Sequence, residues 1–403
     1  MTTNEQVYAM LRERGESILN EIIEWRRALH MIPELRMETP VTEAFICQTL
    51  RRFGIEEIHS GVGGHGVCAI IRGDLPGKCL AIRADCDGLP IQEETGLPFA
   101  AQNGNMHACG HDAHTAMALG AAKILMENRS RLRGTVKFIF QPYEEGDGGA
   151  KAMISSGVLE SPPVHANLAL HNDCSVDADY QPGDILVLNE PTSANIYAYE
   201  ATFYGPGSHV CLSRQTPNPV YMACEAVTAI SSLSEPGPET VNAVTVVQGG
   251  TRNNIVPDHC TICGSIRAFD TNLHETMKHQ VMDILQKTAE KHSGTVKIKP
   301  TIDLMCTVNN VELYQRFCLI TNALYPERGC RQLKHRSMIG EDFARYAAQI
   351  PGFYFFLHTR PEGTSYPLHH PKFDVEEQVL HKGSVAFAAF ALFWQVIDAE
   401  TSL

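Results

Sequence analysis

Residues 116–140 read AMALGAAKILMENRSRLRGTVKFIF, and this stretch decides the fold class. Its first ten residues are small and apolar, which predicts a helix packed closely against other elements. Residues 135–140 are β-branched and aromatic, and Pro142 ends them, which predicts a strand. The same alternation continues outward. Residues 66–71 and 78–83 read as strands, with a turn over residues 73–77. Further back, Ile18, Ile22, Trp25 and Leu29 recur at helical spacing, and Pro33 stops the run. Downstream, residues 164–170 and 353–357 are short apolar strands. Apolar strands alternating with helices predict an α/β domain with a mixed, largely parallel sheet covered on both faces.

Residues 188–300 follow a different pattern. Strands are predicted over residues 196–204, 241–247, 260–269 and 296–300. Val220, Ala223, Val227 and Ile230 mark one helix between them, and Leu273, Met277, Val281 and Ile284 mark another. Strand, helix, strand, strand, helix, strand predicts an inserted α+β unit of ferredoxin-like type. Residues 1–187 and 302–403 would then form the larger domain, and residues 188–301 the insert. A length of 403 residues fits two cores better than one.

The net charge of −13 disfavours nucleic acid and anionic membranes as partners, since both need a basic face, while a local basic pocket for a small anionic substrate stays open. No apolar run is long enough to span a bilayer, and the first residues lack a secretory pattern. The 13 cysteines are odd in number and scattered, which predicts reduced thiols in a cytoplasmic protein.

Chemistry concentrates in two stretches. Met106-His107-Ala108-Cys109-Gly110-His111-Asp112-Ala113-His114 crowds thiol, imidazole and carboxylate just before an apolar helix. All three are ligands of first-row metals. Gln141-Pro142-Tyr143-Glu144-Glu145-Gly146-Asp147 puts adjacent carboxylates after a strand, where a cation would offset their repulsion. His171 ends a buried strand pattern, and His369 follows the last one. Strand ends are where open α/β sheets place their sites. Other features weigh less. Gly61-Val62-Gly63-Gly64-His65-Gly66 fits a phosphate-loop pattern but precedes a strand, so it reads as a turn. Cys260 and Cys263 lie three apart on a strand and face opposite sides. His107, His114 and His370 read as packing or orienting groups, and Cys86 and Cys174 as inert thiols. Asp85 and Asp87 read equally well as structural or as orienting a ligand.

These landmarks, with Trp25-Arg26-Arg27-Ala28-Leu29-His30, Arg83-Ala84-Asp85-Cys86-Asp87-Gly88, Gly205-Pro206-Gly207-Ser208-His209, Asn254-Ile255-Val256-Pro257-Asp258, Gly264-Ser265-Ile266-Arg267 and Gly340-Glu341-Asp342-Phe343, run nearly end to end. In this order the chain resembles the co-catalytic metallopeptidases and amidohydrolases that include aminoacylases, hippurate hydrolases and hydrolases of amino-acid conjugates of the auxin type. The resemblance implies that Cys109, His111, Glu145, His171 and His369 hold two divalent ions, zinc or manganese first, cobalt or nickel next. It implies Glu144 as general base, His209 as a donor to the oxyanion, and Asn254 and Arg267 as contacts to a substrate carboxylate. Cys109 stands where other branches carry a bridging carboxylate. The insert would act as a lid and join two copies in a homodimer. The implied reaction is metal-dependent hydrolysis of a small N-acyl amino acid or similar conjugate. A dipeptidase or carboxypeptidase with the same site, or a silent ligand-binding scaffold, are the alternatives. Tyr143, Asn172-Asp173-Cys174, Val210-Cys211 and Asn218 depart from the family pattern near the implied pocket or lid.

Overall fold

Alternating side chains hold the large sheet between two apolar layers. The computed structural model describes residues 3–146, 148–177, 179–233, 237, 239–334, 336–363 and 366–397. Asp147 lies outside them. The chain divides into two units: Met1–Thr192, Val308–His335 and Asp342–Leu403 form the first, and Ser193–Thr307 with Arg336–Glu341 form the second. In chain order the helices are α1 (Asn4–Ser17), α2 (Leu19–His30), α3 (Pro40–Arg52), α4 (His111–Glu127), α5 (Gly149–Ser155), α6 (Pro219–Ser231), α7 (Thr271–Lys291), α8 (Val311–Leu324), α9 (Ala344–Ala347) and α10 (Leu380–Phe393). The strands are β1 (Glu57–Val62), β2 (Gly66–Arg72), β3 (Leu75–Asp85), β4 (Arg133–Gln141), β5 (Val164–Asp173), β6 (Ile185–Val187), β7 (Asn195–Tyr204), β8 (Ser208–His209), β9 (Thr240–Gly249), β10 (Ile255–Val256), β11 (His259–Ala268), β12 (Thr295–Leu304), β13 (Cys330–Gln332) and β14 (Gly352–His358).

Among the described residues the first unit has an eight-stranded sheet, ordered β1-β2-β4-β3-β5-β14-β6-β13. Its centre, β4-β3-β5-β14, is parallel, and antiparallel pairs flank it. This is the mixed, largely parallel α/β sheet that the alternation predicts. Leu80, Ile82 and Ala84 of β3 join Val136, Phe138 and Phe140 of β4 on one face, under α1, α4, α8 and α10. Ala81 and Ile139 turn to the other face, under α5 and α9. Successive strand residues face opposite sides, so both layers come from one apolar run. Helix α4 is buried along nearly its whole length. It packs on α10, where Ser384 Oγ donates to the Met117 carbonyl at 2.8 Å. The turn before β3 is shorter than the glycines predict, because Leu75 already pairs with Arg133. The glycine-rich stretch at residues 61–66 is the hairpin between β1 and β2, as its reading as a turn requires.

The second unit runs β7-α6-β9-β11-α7-β12, with sheet order β12-β7-β11-β9 and every neighbour antiparallel. This is the ferredoxin-like order. Ala201, Phe203, Ile262 and Ile266 pack against Met222 and Ala223 of α6 and Val281 and Leu285 of α7. Edge strand β12 continues past Pro300 to Leu304 through a register shift, and an edge tolerates proline. Strands β8 and β10 add a short ribbon that the pattern does not predict. Among the described residues no helix is long and apolar enough to cross a membrane. All 13 cysteines are free thiols.

Candidate metal centre

Parallel strands end along one edge of a sheet, and three of them meet a helix start here. Strand β3 delivers Asp85, with Cys86 and Asp87 beyond it. Glu144 and Glu145 follow β4, and β5 carries His171 near its end. Helix α4 opens at His111, two residues after Cys109. Gly110 lies between them at φ +85°, and a Cβ there would sit 2.2 Å from Asn172 Oδ1. Only glycine takes this turn without displacing a neighbour.

The donor atoms of Cys109, His111 and His171 lie within 4.8 Å of one another, and so do those of Cys109, Glu145 and His369. A third group joins His111, Glu144 and Glu145. Cys109 belongs to both of the first two. Its Sγ lies 3.4 Å from His171 Nε2, and His369 Nε2 lies 3.2 Å from Glu145 Oε1. The five candidate ligands and Glu144 thus come together within the first unit. His369 within the cluster and Tyr143 beside it hold a left-handed backbone, at φ +65° and φ +60°. Such angles are uncommon outside glycine and need support. At His369 the main-chain N–H donates to the Ala108 carbonyl at 2.8 Å.

Hydrogen bonds fix how the rings face. His111 Nδ1 donates to the Asp87 carbonyl at 2.9 Å, and His171 Nδ1 to the Asn172 carbonyl at 2.8 Å. Donation from Nδ1 leaves Nε2 as the lone pair. His111 Nε2 is buried and has no hydrogen-bond partner. Burial opposes charge on His111, but Asp85, Asp87 and Glu145 outweigh it and raise the imidazole to about 10. Burial, with Glu145, Glu144 and Asp85, pushes the Cys109 thiol well above its usual range. Both shifts say that the pocket is short of positive charge. Divalent ions fit this set of thiolate, imidazole and carboxylate donors, and an unpartnered Nε2 is among them.

The surrounding residues hold these donors. The Asp87 carboxylate accepts the main-chain N–H groups of Glu144 at 3.1 Å and Glu145 at 3.4 Å. Asp87 therefore positions both His111 and the paired glutamates. Asp85 accepts from His114 Nδ1 at 2.6 Å and from the buried Arg83 at 2.7 Å. His114 Nε2 in turn meets Asn172, so both its nitrogens are committed. Behind α4 lies a buried network to which sequence reasoning assigned no role. Asp112 accepts from Arg26 Nε at 2.8 Å and from His30 Nδ1 at 2.7 Å, and His30 Nε2 lies 3.1 Å from Glu93. A signal was present: Arg26 shares a helical face with Ile22 and Leu29, where a charge must find buried partners.

The remaining candidates lie in the second unit. His209 and Asn254 are exposed and line one cleft of about 810 Å³. Arg267, on β11, is half-buried and donates to the Met338 carbonyl at 2.5 Å. It does not line that cleft.

Comparison with known proteins agrees with this geometry. Residues 81–392 match the model of peptidase family M20/M25/M40. Thermostable carboxypeptidase 1 of Saccharolobus solfataricus is 34% identical, over 95% of this chain and 98% of its own. N-acetylcysteine deacetylase of Bacillus subtilis is 33% identical, over 92% and 96%. The crystal structure of a Bacillus subtilis protein described as a dinuclear metal-binding peptidase of the M20 family superimposes with a TM-score of 0.78 at 32% identity, over 93% and 98%. That neighbour and the overlapping donor groups support two divalent ions in this chain. A family model spanning most of the chain and relatives aligned nearly end to end place it in peptidase family M20/M25/M40, as a metal-dependent hydrolase of amide bonds.

Proposed function

We propose that this protein is an aminoacylase-type amidohydrolase that splits an N-acyl amino acid, or a similar amino-acid conjugate, into a carboxylate and a free amino acid. The observation that carries the reading is the double membership of Cys109 in two donor groups. Cys109, His111 and His171 would hold one ion, and Cys109, Glu145 and His369 the other, with the thiolate shared. Zinc, manganese, cobalt and nickel can each be held by such mixed donors. Two such ions, when bound, polarise an amide carbonyl and make water more acidic. Glu144 is the general base. Its carboxylate takes a proton from the attacking water and passes it to the leaving nitrogen. Asp87 fixes the Glu144-Glu145 turn, which lets neighbouring carboxylates take different tasks. His209 donates to the oxyanion, and Asn254 and Arg267 bind the substrate carboxylate. The second unit acts as a lid and pairs two copies. Its edge strand β9, with Val246 and Val247 exposed, is an unpaired strand edge of the kind that joins chains.

A dipeptidase or carboxypeptidase with the same site is the second reading, the latter favoured by the name of the Saccharolobus relative. Both reactions break an amide next to an amino acid and differ in the acyl side. Metal-stripped protein refilled with Zn²⁺, Mn²⁺, Co²⁺ or Ni²⁺ and offered N-acetyl and N-benzoyl amino acids beside unblocked dipeptides separates them. Faster amine release from the blocked substrates, at two ions per chain, is the expected result. Preference for free dipeptides selects the second reading. Two bound ions without turnover on either set would sink both.

A further inference from the structure

The first unit has another cavity, with charged and apolar residues in its wall, which shares no lining residue with the metal centre. Its volume is about 460 Å³, and residues of α1, the turn before β6, the end of α8 and α10 line it. Three cations face it: Arg12, Arg328 and Lys382. Arg328 is already matched, with both Asp184 oxygens at 2.5 Å. Arg12 and Lys382 are not. Arg12 Nη1 donates to the Leu324 carbonyl at 2.5 Å, and Lys382 Nζ to the Gly183 carbonyl at 3.3 Å. Neither has a carboxylate partner among the described residues. The Tyr325 hydroxyl in the same wall is buried and has no hydrogen-bond partner. The wall is shaped around the ammonium. Gly183 sits at φ +88°, and a Cβ there would lie 2.6 Å from Lys382 Nζ.

Half-buried cations that no carboxylate contacts are unfavourable, and burial lowers the Lys382 pKa although nearby Asp184 opposes the shift. The lining sets Arg12, Arg328 and Lys382 against the carboxylates of Asp184 and Glu327, and Arg328 already takes Asp184, so in a chain of net charge −13 the cations left over call for an explanation. We propose that this cavity binds a small oxyanion, a carboxylate or a phosphate group, held by Lys382 and Arg12 with the Tyr325 hydroxyl as a third donor. Guanidinium and ammonium both suit such a group. Ile185, Leu324 and Pro326 along the wall leave room for an apolar portion.

The metal centre also attracts anions, so the test must read Lys382 itself. The metal-loaded protein is treated with an N-hydroxysuccinimide ester, and modification of Lys382 is followed by peptide mass spectrometry. Inorganic phosphate, sodium acetate or sodium chloride is added at matched ionic strength. Phosphate, acetate or both should slow Lys382 modification severalfold relative to chloride, and the arm that does so names the ligand. Arg12→Gln should abolish the protection. Tyr325→Phe, which keeps the ring and its packing, should weaken it. Equal rates in all three salts would overturn the proposal, and so would full protection retained in both variants.

Discussion

Three histidines lie within eight residues of one another, at positions 107, 111 and 114, yet the structure treats each differently. His111 has one nitrogen committed to a carbonyl and the other buried without a partner. His114 has both nitrogens committed, to Asp85 and Asn172. His107 is buried with neither nitrogen partnered, and burial holds its pKa down to about 4, so it stays neutral and packs. His171 is oriented like His111, with Nδ1 tied and Nε2 facing Cys109. His30 resembles His114, with a carboxylate at each nitrogen. One held nitrogen and one open one, rather than nearness in the chain, mark a prospective metal donor, and two held nitrogens mark the group that steadies it.

The strongest test of this contrast removes the donor that both groups share. Cys109→Ala should bind fewer than two ions and lose turnover, while Cys109→Asp, which restores an anionic donor, should recover the second ion. Metal counting by mass spectrometry of the native protein checks it. Two ions retained in Cys109→Ala would show that the thiolate is not shared. Next in size is Glu144→Ala. The proton relay fails but the donors stay, so kcat should fall by about a hundredfold to ten-thousandfold with two ions still bound. Near-normal kcat would remove Glu144 from the proposed role. A smaller effect is expected when a steadying ring is lost. His114→Gln should weaken metal affinity or activity by about 10–100-fold, well short of His171→Gln, which deletes a donor outright. Equal losses in the two variants would mean that partner count does not mark the ligands.

Much of this centre was legible in the sequence because its residues crowd into short runs. Local composition pointed to the Cys109-His111 run as a metal-binding stretch, while Glu144 and Glu145, which alone read as well as a solvated acidic turn, were named through the family resemblance. His171 was singled out as the end of an apolar strand pattern, and β5 does carry it, whereas His369 lies well beyond the end of β14 and was named through the family resemblance. The orienting contacts were harder to read. Asp87 acts through its carbonyl as well as its carboxylate, and a main-chain acceptor leaves no mark on residue type. Tyr143 and His369 adopt left-handed backbone, a conformation that their identities argue against. In the fold, long amphipathic or β-branched runs were legible, while α10 was not. Its run Val385 to Phe393 is apolar on every side, because it is buried all round, so it carries no period to read. Strands β6 and β13, three residues each, are too short to show alternation. The Arg336–Glu341 segment of the second unit is too short to announce which core it joins.

The smallest effect concerns a ring of the other kind. His30 is buried between two carboxylates, and both of its nitrogens must donate to satisfy them. Burial opposes its charge, but Asp112 and Glu93 prevail and raise its pKa from 6.5 to about 9. A raised pKa means that the folded state holds the proton more tightly than the unfolded chain. The stabilisation is complete below pH 6.5 and is lost as the pH rises through about 9. At about 1.4 kcal/mol per pKa unit, the shift is worth about 3 kcal/mol at its fullest. His30→Gln keeps one donor and one acceptor but carries no charge. Its stability deficit in urea unfolding should therefore be largest near pH 6 and shrink by pH 9.5, and the His30 ring in the parent protein should titrate near pH 9 by NMR. A deficit of equal size at both pH values would mean that the ring contributes packing alone. Two nearby carboxylates would then be insufficient to charge a buried histidine here.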